Sequence, residues 1–266
     1  PTMAPALVPA IQDGCIPFSV KNCKAPACAI PLEPPPDNTI PIDFDAFSIC
    51  NISYRELPKL ELNLPNKVKK MINTIKQALE NSFSYADYRK KITSLITEGK
   101  STGHEQSADL LHYSELNETR MHRLDKTIEV TPEVKAKLQN LDKKYIWLVL
   151  SEGWCGDAAQ IVPVIHKMAE VTDKVELKIA LRDDNDALMQ HFLTNGGKAI
   201  PKLILLDAET LEVVADWGPR PHGAKQLILD YKATHGIVDE TAKIELQKWY
   251  LHDKGISIQN EIVELH

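Results

Sequence analysis

Apolar residues recur at helical spacing in the first regularly patterned part of the chain, which begins at Lys67. Every third or fourth residue is apolar there, the period expected when one face of a helix packs on a core. Serine is a favoured capping residue and proline a favoured first helical residue, so both residue types mark helix starts. Four helices are predicted: Val68–Leu79, a second that opens at Ser84 and stops at Gly99, Ala108–Leu124, and a fourth that opens at Thr131-Pro132-Glu133.

The pattern changes to alternating strands and helices from Tyr145 onward. Tyr145–Leu150 is a near-continuous apolar run, typical of a central strand buried on both faces. The order β-α-β-α-β-β-α predicts the α/β fold class, with a small mixed sheet flanked by helices. The elements predicted after the first strand are a helix from Cys155 to about Val171, a strand at Val175–Leu181, a helix at Ala187–Leu193, short strands at Lys202–Leu206 and Leu211–Asp216, and a helix at Ala224–Tyr231.

The first 66 residues have a different composition. Most of the 17 prolines and four of the five cysteines fall there, which favours an extension that is poorly ordered or foreign to the working protein, with Met71 as the natural start. Its cysteines could bind zinc, but Cys23 and Cys28 have no second tight pair and no nearby histidine, so no metal site is expected. The predicted domains are this extension at 1–66, a helical extension at 67–130 and an α/β domain at 131–266.

The charge balance excludes some classes of partner. A net charge of −6 and a pI near 5.9 leave no basic footprint for nucleic acid or an anionic membrane. The longest apolar runs, such as Ile146–Leu150, are too short to cross a bilayer, and residues 3–11 lack the basic start of a signal peptide. Cys155 is the single cysteine after Met71, which suits a reducing compartment, so a cytoplasmic protein is expected. Nothing in the sequence fixes the oligomeric state.

The residues that suggest chemistry lie around Cys155. The segment Ser151–Ala158 reads S-E-G-W-C-G-D-A, follows the buried strand and opens a helix that contains Pro163. A thiol at a helix N-terminus meets free backbone N–H groups and the positive end of the helix dipole, and both favour the thiolate. Two further segments flank the last pair of strands: N-G-G-K-A-I-P at residues 195–201 and W-G-P-R-P at residues 217–221.

These segments together resemble the thioredoxin family. Trp154-Cys155-Gly156-Asp157 resembles its W-C-x-x-C motif, Pro163 its helix proline, and Ile200-Pro201 its cis-proline loop. The most similar subfamily has a single-cysteine W-C-G-D-A motif, and the resemblance extends over roughly residues 100–266. It implies a thioredoxin fold, a central mixed sheet flanked by helices, within Met71–His266.

The resemblance also implies thiol–disulfide exchange at Cys155. The backbone amides of Gly156 and Asp157 would hold the attacking thiolate. Ile200 and Pro201 would dock an extended substrate chain by strand addition. The implied partner is a protein disulfide or a small-thiol substrate. No cofactor or metal is implied, and glutathione or another low-molecular-weight thiol would act as co-substrate.

Two departures from the family pattern bear on this activity. Ala158 stands where the second motif cysteine is expected, and Val149 stands where thioredoxins bury a carboxylate. Exchange without a resolving thiol in the motif would follow a monothiol route. The alternative is a redox-inactive thioredoxin-fold module that binds a protein or peptide partner in the cis-proline groove.

Three other residues of the predicted site have two interpretations each. Asp157 would move protons or only cap the helix, and its charge would raise the cysteine pKa against the effect of the helix. Trp154 would shield the thiolate or pack over the strand end. Arg220 would bind a substrate carboxylate, such as that of glutathione, or form an ordinary surface ion pair.

Overall fold

The computed structural model describes residues 66–266, with side chains from Lys69 onward. Apart from Asn66, the extension predicted at residues 1–66 lies outside the described residues, together with its cysteines and the zinc site weighed for them. Within the described part, no helix combines the length and the apolar character needed to cross a membrane.

Four helices come first, as predicted. Ser84 accepts a hydrogen bond from the backbone N–H of Asp87 at 3.1 Å, and Thr131 accepts one from the N–H of Val134 at 3.3 Å. Both caps confirm the predicted helix starts, because each satisfies an amide that the first turn leaves free. The helices are α1 Asn66–Glu80, α2 Tyr85–Thr97, α3 Ala108–Thr127 and α4 Pro132–Gln139.

The predicted mixed sheet is confirmed. Its strands are β1 Tyr145–Ser151, β2 Val175–Leu181, β3 Lys202–Asp207 and β4 Val213–Trp217. They lie in the order β2-β1-β3-β4. The β1–β2 pair is parallel, and the β1–β3 and β3–β4 pairs are antiparallel. Trp147–Leu150 in the middle of β1 is fully buried, as a continuous apolar run in a central strand requires.

The helix after β1 is buried over most of its length. This helix, α5, spans Gly156–Ala169 and contains Pro163.

The helix after β2, α6, spans only Asp186–Met189 and follows a 3₁₀ turn, so the prediction of a helix over Ala187–Leu193 is wrong in extent. Thr194 and Gly197 exchange two backbone hydrogen bonds across Asn195 and Gly196, both at positive φ. This tight turn directs the chain toward β3 and leaves no room for another helical turn.

The chain ends in three helices, of which the sequence pattern predicted one. They are α7 His222–His235, α8 Glu240–Asp253 and α9 Ile256–Val263. Lys254 and Gly255 between α8 and α9 are left-handed, and a side chain on Gly255 would press into Val164 of α5. Because this approach is close, α9 packs directly on the helix that follows Cys155.

The N-terminal helices cover the outer edge of β2 and the end of β1. Phe83, just before α2, exchanges two backbone hydrogen bonds with Ile179 of β2, at 2.7 and 2.9 Å. The Tyr88 hydroxyl of α2 lies 2.9 Å from the Ser151 hydroxyl at the end of β1, and both side chains are buried. The loop that leads from β1 to Cys155 is therefore held from outside the sheet.

Candidate functional site

Cys155 is the N-cap residue of α5 and is nearly buried. Its Sγ accepts a hydrogen bond from the Ala158 N–H at 3.5 Å and donates one to the Ile200 carbonyl at 3.4 Å. A tight turn before it is closed by the bond from Cys155 N–H to the Glu152 carbonyl, at 3.1 Å. The residue is 9% exposed. The sulfur thus lies between the first turn of a helix and the strand entry at Ile200.

The Ile200–Pro201 peptide bond is cis, as the resemblance implied, and both residues are buried. The segment after β4 lies against this bond. Gly218 has a φ of 119°, and an added Cβ would overlap the carbonyl oxygen of Pro201. Only glycine fits here, since both the backbone angle and the space exclude a side chain. This close approach brings the W-G-P-R-P segment next to the cysteine.

Asp157 is held on both carboxylate oxygens. Arg220 contacts Oδ2 through Nη2 at 2.7 Å and donates to it from Nε at 2.9 Å. The Tyr250 hydroxyl of α8 donates to Oδ1 at 2.8 Å. Arg220 therefore forms an ion pair, as one of its two interpretations predicted, but with the aspartate of the site and not at an ordinary surface position. Tyr250 was missed, because no helix was predicted at α8.

The resting cysteine is a thiol. Burial raises the pKa of Cys155 most strongly and the Asp157 charge raises it further, whereas the helix N–H groups and Arg220 lower it. The net effect raises the pKa of Cys155 to about 12. The sequence left open whether the helix or Asp157 dominates. Burial, which neither interpretation considered, outweighs the helix contribution.

Trp154 packs beneath the loop that joins α2 to α3. The Arg182 guanidinium lies 4.9 Å from the centre of its ring system. An added Cβ on Gly103 would overlap Asp183 and lie 3.5 Å from the Trp154 Nε1. The Thr102 hydroxyl accepts a hydrogen bond from Gly153 N–H at 2.8 Å. Of its two predicted roles, the packing role is the one that these contacts support.

The other side of the cysteine loop is covered by α3 and α8. Asn117 of α3 donates to the Gly153 carbonyl at 2.9 Å and accepts from Arg120 Nη1 at 2.8 Å. An added Cβ on Gly156 would lie 3.6 Å from Arg120 Nη1 and 3.8 Å from Gln247 Nε2 of α8. From the sequence, we expected Gly156 to contribute only through its backbone amide. Instead, two polar side chains that the sequence did not identify lie against it.

A buried carboxyl group lies three residues before the cysteine. Glu152 is fully buried, and its Oε1 accepts a hydrogen bond from the Asp183 N–H at 3.0 Å. Burial raises its pKa. Val149, the position at which the family pattern expects a carboxylate, is instead an ordinary core residue of β1. Among the described residues, no group of three or more His, Cys, Asp or Glu side chains could hold a metal ion.

None of the curated proteins compared matches the chain. A crystal structure of an HIV epitope-scaffold is 20% identical, with a TM-score of 0.43, over 69% of this chain and 97% of the other. A crystal structure of a protein of unknown function from Pseudomonas aeruginosa is 16% identical, with a TM-score of 0.39, over 68% and 97%. A family model described as Thioredoxin matches residues 103–235, half of the chain. The chain therefore belongs to the thioredoxin family.

Proposed function

We propose that this protein carries out thiol–disulfide exchange by a monothiol route through Cys155, as in the subfamily with a W-C-G-D-A motif. The observation that carries the proposal is the position of Sγ, which touches the first turn of α5 and the Ile200 carbonyl at once. The helix side offers N–H groups that stabilise a thiolate. The Ile200 side offers the strand entry along which a disulfide-bearing chain would pair.

The reaction has two balanced steps. The Cys155 thiolate attacks one sulfur of a disulfide, a new S–S bond forms, and the other sulfur leaves as a thiolate that takes up a proton from water. Cys155 is the single cysteine among residues 66–266, so the second attacking thiol comes from outside the described residues. A small thiol such as glutathione, abundant in the reducing cytoplasm that we propose as the compartment, attacks the mixed disulfide and releases Cys155.

The burial of the thiol sets the condition for this reaction. With a pKa of about 12, a fraction of about 10⁻⁵ of Cys155 is thiolate at pH 7. A docked chain that donates its own N–H to the Ile200 carbonyl replaces the hydrogen bond from Sγ and frees the sulfur. Exchange with small disulfides that cannot replace this bond is therefore slow and strongly dependent on pH.

The test uses the full chain with the other four cysteines replaced by serine. Incubation with hydroxyethyl disulfide between pH 7 and pH 10 yields one mixed disulfide per chain by intact mass, at a rate that rises about tenfold per pH unit below the pKa. Glutathione then restores the free thiol. The Cys155→Ser chain forms no adduct. Absence of an adduct at pH 10, both with this probe and with an extended peptide disulfide that can pair at Ile200, from a chain that reacts when unfolded in urea, would exclude the proposed activity.

A second candidate is the redox-inactive binding module, which the low exposure and raised pKa of Cys155 favour. It predicts that peptides selected by display against the Cys155→Ser chain bind the unsubstituted chain equally well, by calorimetry. It also predicts that Gly218→Ala, which disturbs the Pro201 carbonyl, abolishes their binding. Selected peptides that bind only when Cys155 is present would reject this candidate.

A further inference from the structure

Arg120 presents hydrogen-bond donors beside the cysteine without an acidic partner. Its Nη1 donates to Asn117 Oδ1 at 2.8 Å, and neither its Nε nor its Nη2 has an acceptor among residues 69–266. None of the ion pairs in this part of the chain includes it. The side chain is half-buried. A half-buried guanidinium without a carboxylate keeps the cost of lost hydration uncompensated until an anion binds.

Gln247, the other side chain that lies against Gly156, also presents a donor there. Gln247 uses its amide oxygen to accept from Gln160 Nε2 at 2.7 Å. Its own Nε2 points toward Gly156, with no acceptor among the described residues. The charged group that acts on Arg120 most strongly is Arg123, which has the same sign. Two donor side chains that keep N–H groups without an acceptor among residues 69–266, one of them cationic, therefore meet at the residue next to Cys155.

Arg220 is not free to bind an anion in the same way. Its guanidinium is already paired with Asp157 through two N–H groups, and Tyr250 occupies the other carboxylate oxygen. Releasing Arg220 to a substrate would leave Asp157 as an uncompensated charge that is nearly buried. Binding an anion at Arg120 breaks no ion pair.

We propose that Arg120, assisted by Gln247, binds a carboxylate group of the substrate and so selects acidic thiols and disulfides for reaction at Cys155. The role of this selection rests on the proposed exchange activity, whereas binding of the carboxylate can be tested without that activity. Arginine suits this role, because its planar fork matches a carboxylate and stays charged at every relevant pH. The ligand class is a small carboxylate-bearing thiol or disulfide, or an acidic residue beside a protein disulfide.

The first experiment compares three aliphatic disulfides of similar size and different charge. They are dithiodipropionate, which is anionic, hydroxyethyl disulfide, which is neutral, and cystamine, which is cationic. With dithiodipropionate, an S–S bond forms between Cys155 and one half, and the other half leaves as mercaptopropionate and takes up a proton. In the full chain, with Ser at the other four cysteine positions, we measure the ratio of the anionic to the neutral rate constant.

The expected result is a loss of preference for the anionic probe in Arg120→Gln. The ratio should fall about tenfold, the size expected when a charge-assisted hydrogen bond at a half-exposed site is removed. The matched control is Arg123→Gln, which makes the same charge change three residues along the same helix at an exposed position. There the ratio should change less than about twofold, because Arg123 is exposed to solvent and its side chain does not lie against Gly156. Equal ratios in both variants would overturn the proposal.

Two further measurements separate this proposal from the exchange activity and from folding. Thiodipropionate is a thioether and cannot exchange, so its binding does not require a reactive cysteine. It should raise the Tm of the Cys155→Ser chain in a saturable manner at constant ionic strength, and it should not raise the Tm of the chain that also carries Arg120→Gln. The Arg120→Lys chain keeps the charge and should retain part of both effects. If thiodipropionate stabilises the Arg120→Gln and Arg120 chains equally, the proposed site is wrong, whatever the exchange assay shows.

Discussion

Replacing Asp157 by asparagine tests the electrostatics of the site most directly. The substitution Asp157→Asn keeps the shape of the side chain and an oxygen that can accept a hydrogen bond from Tyr250, but it removes the negative charge. The Asp157 charge is the second-largest cause of the raised pKa of Cys155, after burial. Arg220 loses its ion-pair partner and remains beside the thiol as a free cation. Both changes favour the thiolate.

The expected fall in the pKa of Cys155 follows from the lost Asp157 charge and the freed Arg220 cation. A like charge within about 4–6 Å raises a cysteine pKa by about one to three pH units, so its removal lowers the pKa by that amount. Burial is unchanged by an isosteric substitution, so the pKa does not return to that of a free cysteine. We expect the pKa of Cys155 to fall from about 12 to about 10. This difference corresponds to about 3 kcal/mol of thiolate stabilisation.

The assay must report the protonation state without requiring access to the buried sulfur. Carbon NMR of the Cβ of labelled cysteine meets this condition, because its shift changes on deprotonation. Full chains with the other four cysteines replaced by serine are titrated from pH 7 to pH 11, with urea unfolding in parallel to show that each remains folded. In the Asp157→Asn chain the titration of Cys155 should be half complete near pH 10. In the chain that retains Asp157, the titration should have barely begun at that pH.

The matched control is Asp173→Asn. Asp173 is exposed and precedes the start of β2, at the end of the sheet opposite Cys155. A seven-residue strand spans about 20 Å, well beyond the Debye length in physiological salt. Its substitution should leave the Cys155 titration unchanged. If Asp157→Asn also leaves it unchanged, burial alone sets the pKa and our electrostatic account is wrong.

Three further predictions concern stability. Tyr250→Phe should lower the free energy of unfolding by about 1–3 kcal/mol in urea titrations, because it leaves a nearly buried carboxylate oxygen without a donor. Gly218→Ala should lower the free energy of unfolding by at least about 2 kcal/mol more than Gly196→Ala does, because both glycines have positive φ but only Gly218 lacks space for a Cβ. Equal losses of stability in the two variants would contradict this. Burial lowers the pKa of His266 from 6.5 to about 4. The contribution of the neutral imidazole to the free energy of unfolding is therefore complete above pH 6.5 and is lost as the pH falls toward 4. The urea midpoint should therefore fall less over that range in His266→Phe than in the unsubstituted chain.

The sheet and the position of the cysteine could be predicted from sequence, because each depends on local pattern. The run Tyr145–Leu150 is typical of a strand buried on both faces, and residues 202–206 share that character. Cys155 follows the first of these strands and precedes a helical pattern, so its place at the helix start is fixed by its immediate neighbours. The cis-proline segment likewise follows from a short motif.

The environment of the cysteine could not be predicted, because it is built from distant parts of the chain. Tyr250 lies 93 residues from the aspartate that it contacts. Its helix buries Ala242, Leu246 and Tyr250 at a spacing of four and exposes Ile244 and Leu251. This narrow stripe between exposed apolar residues hides the helical period. Missing this helix therefore meant missing the second side chain that holds Asp157.

The last two helices show that the family match and the cooperative folding unit have different limits. The match ends at residue 235, yet Ile258 and Ile262 of α9 are buried, and α9 packs closely on α5. A chain cut after α7 would expose this apolar surface and, at the same time, remove Gln247 and Tyr250 from around the thiol. Helices beyond the family match therefore supply the Tyr250 hydrogen bond to Asp157 and the Gln247 side chain beside Gly156. The part of the chain that folds together with the site thus extends past the residues by which the family is recognised, to Ile262 of α9.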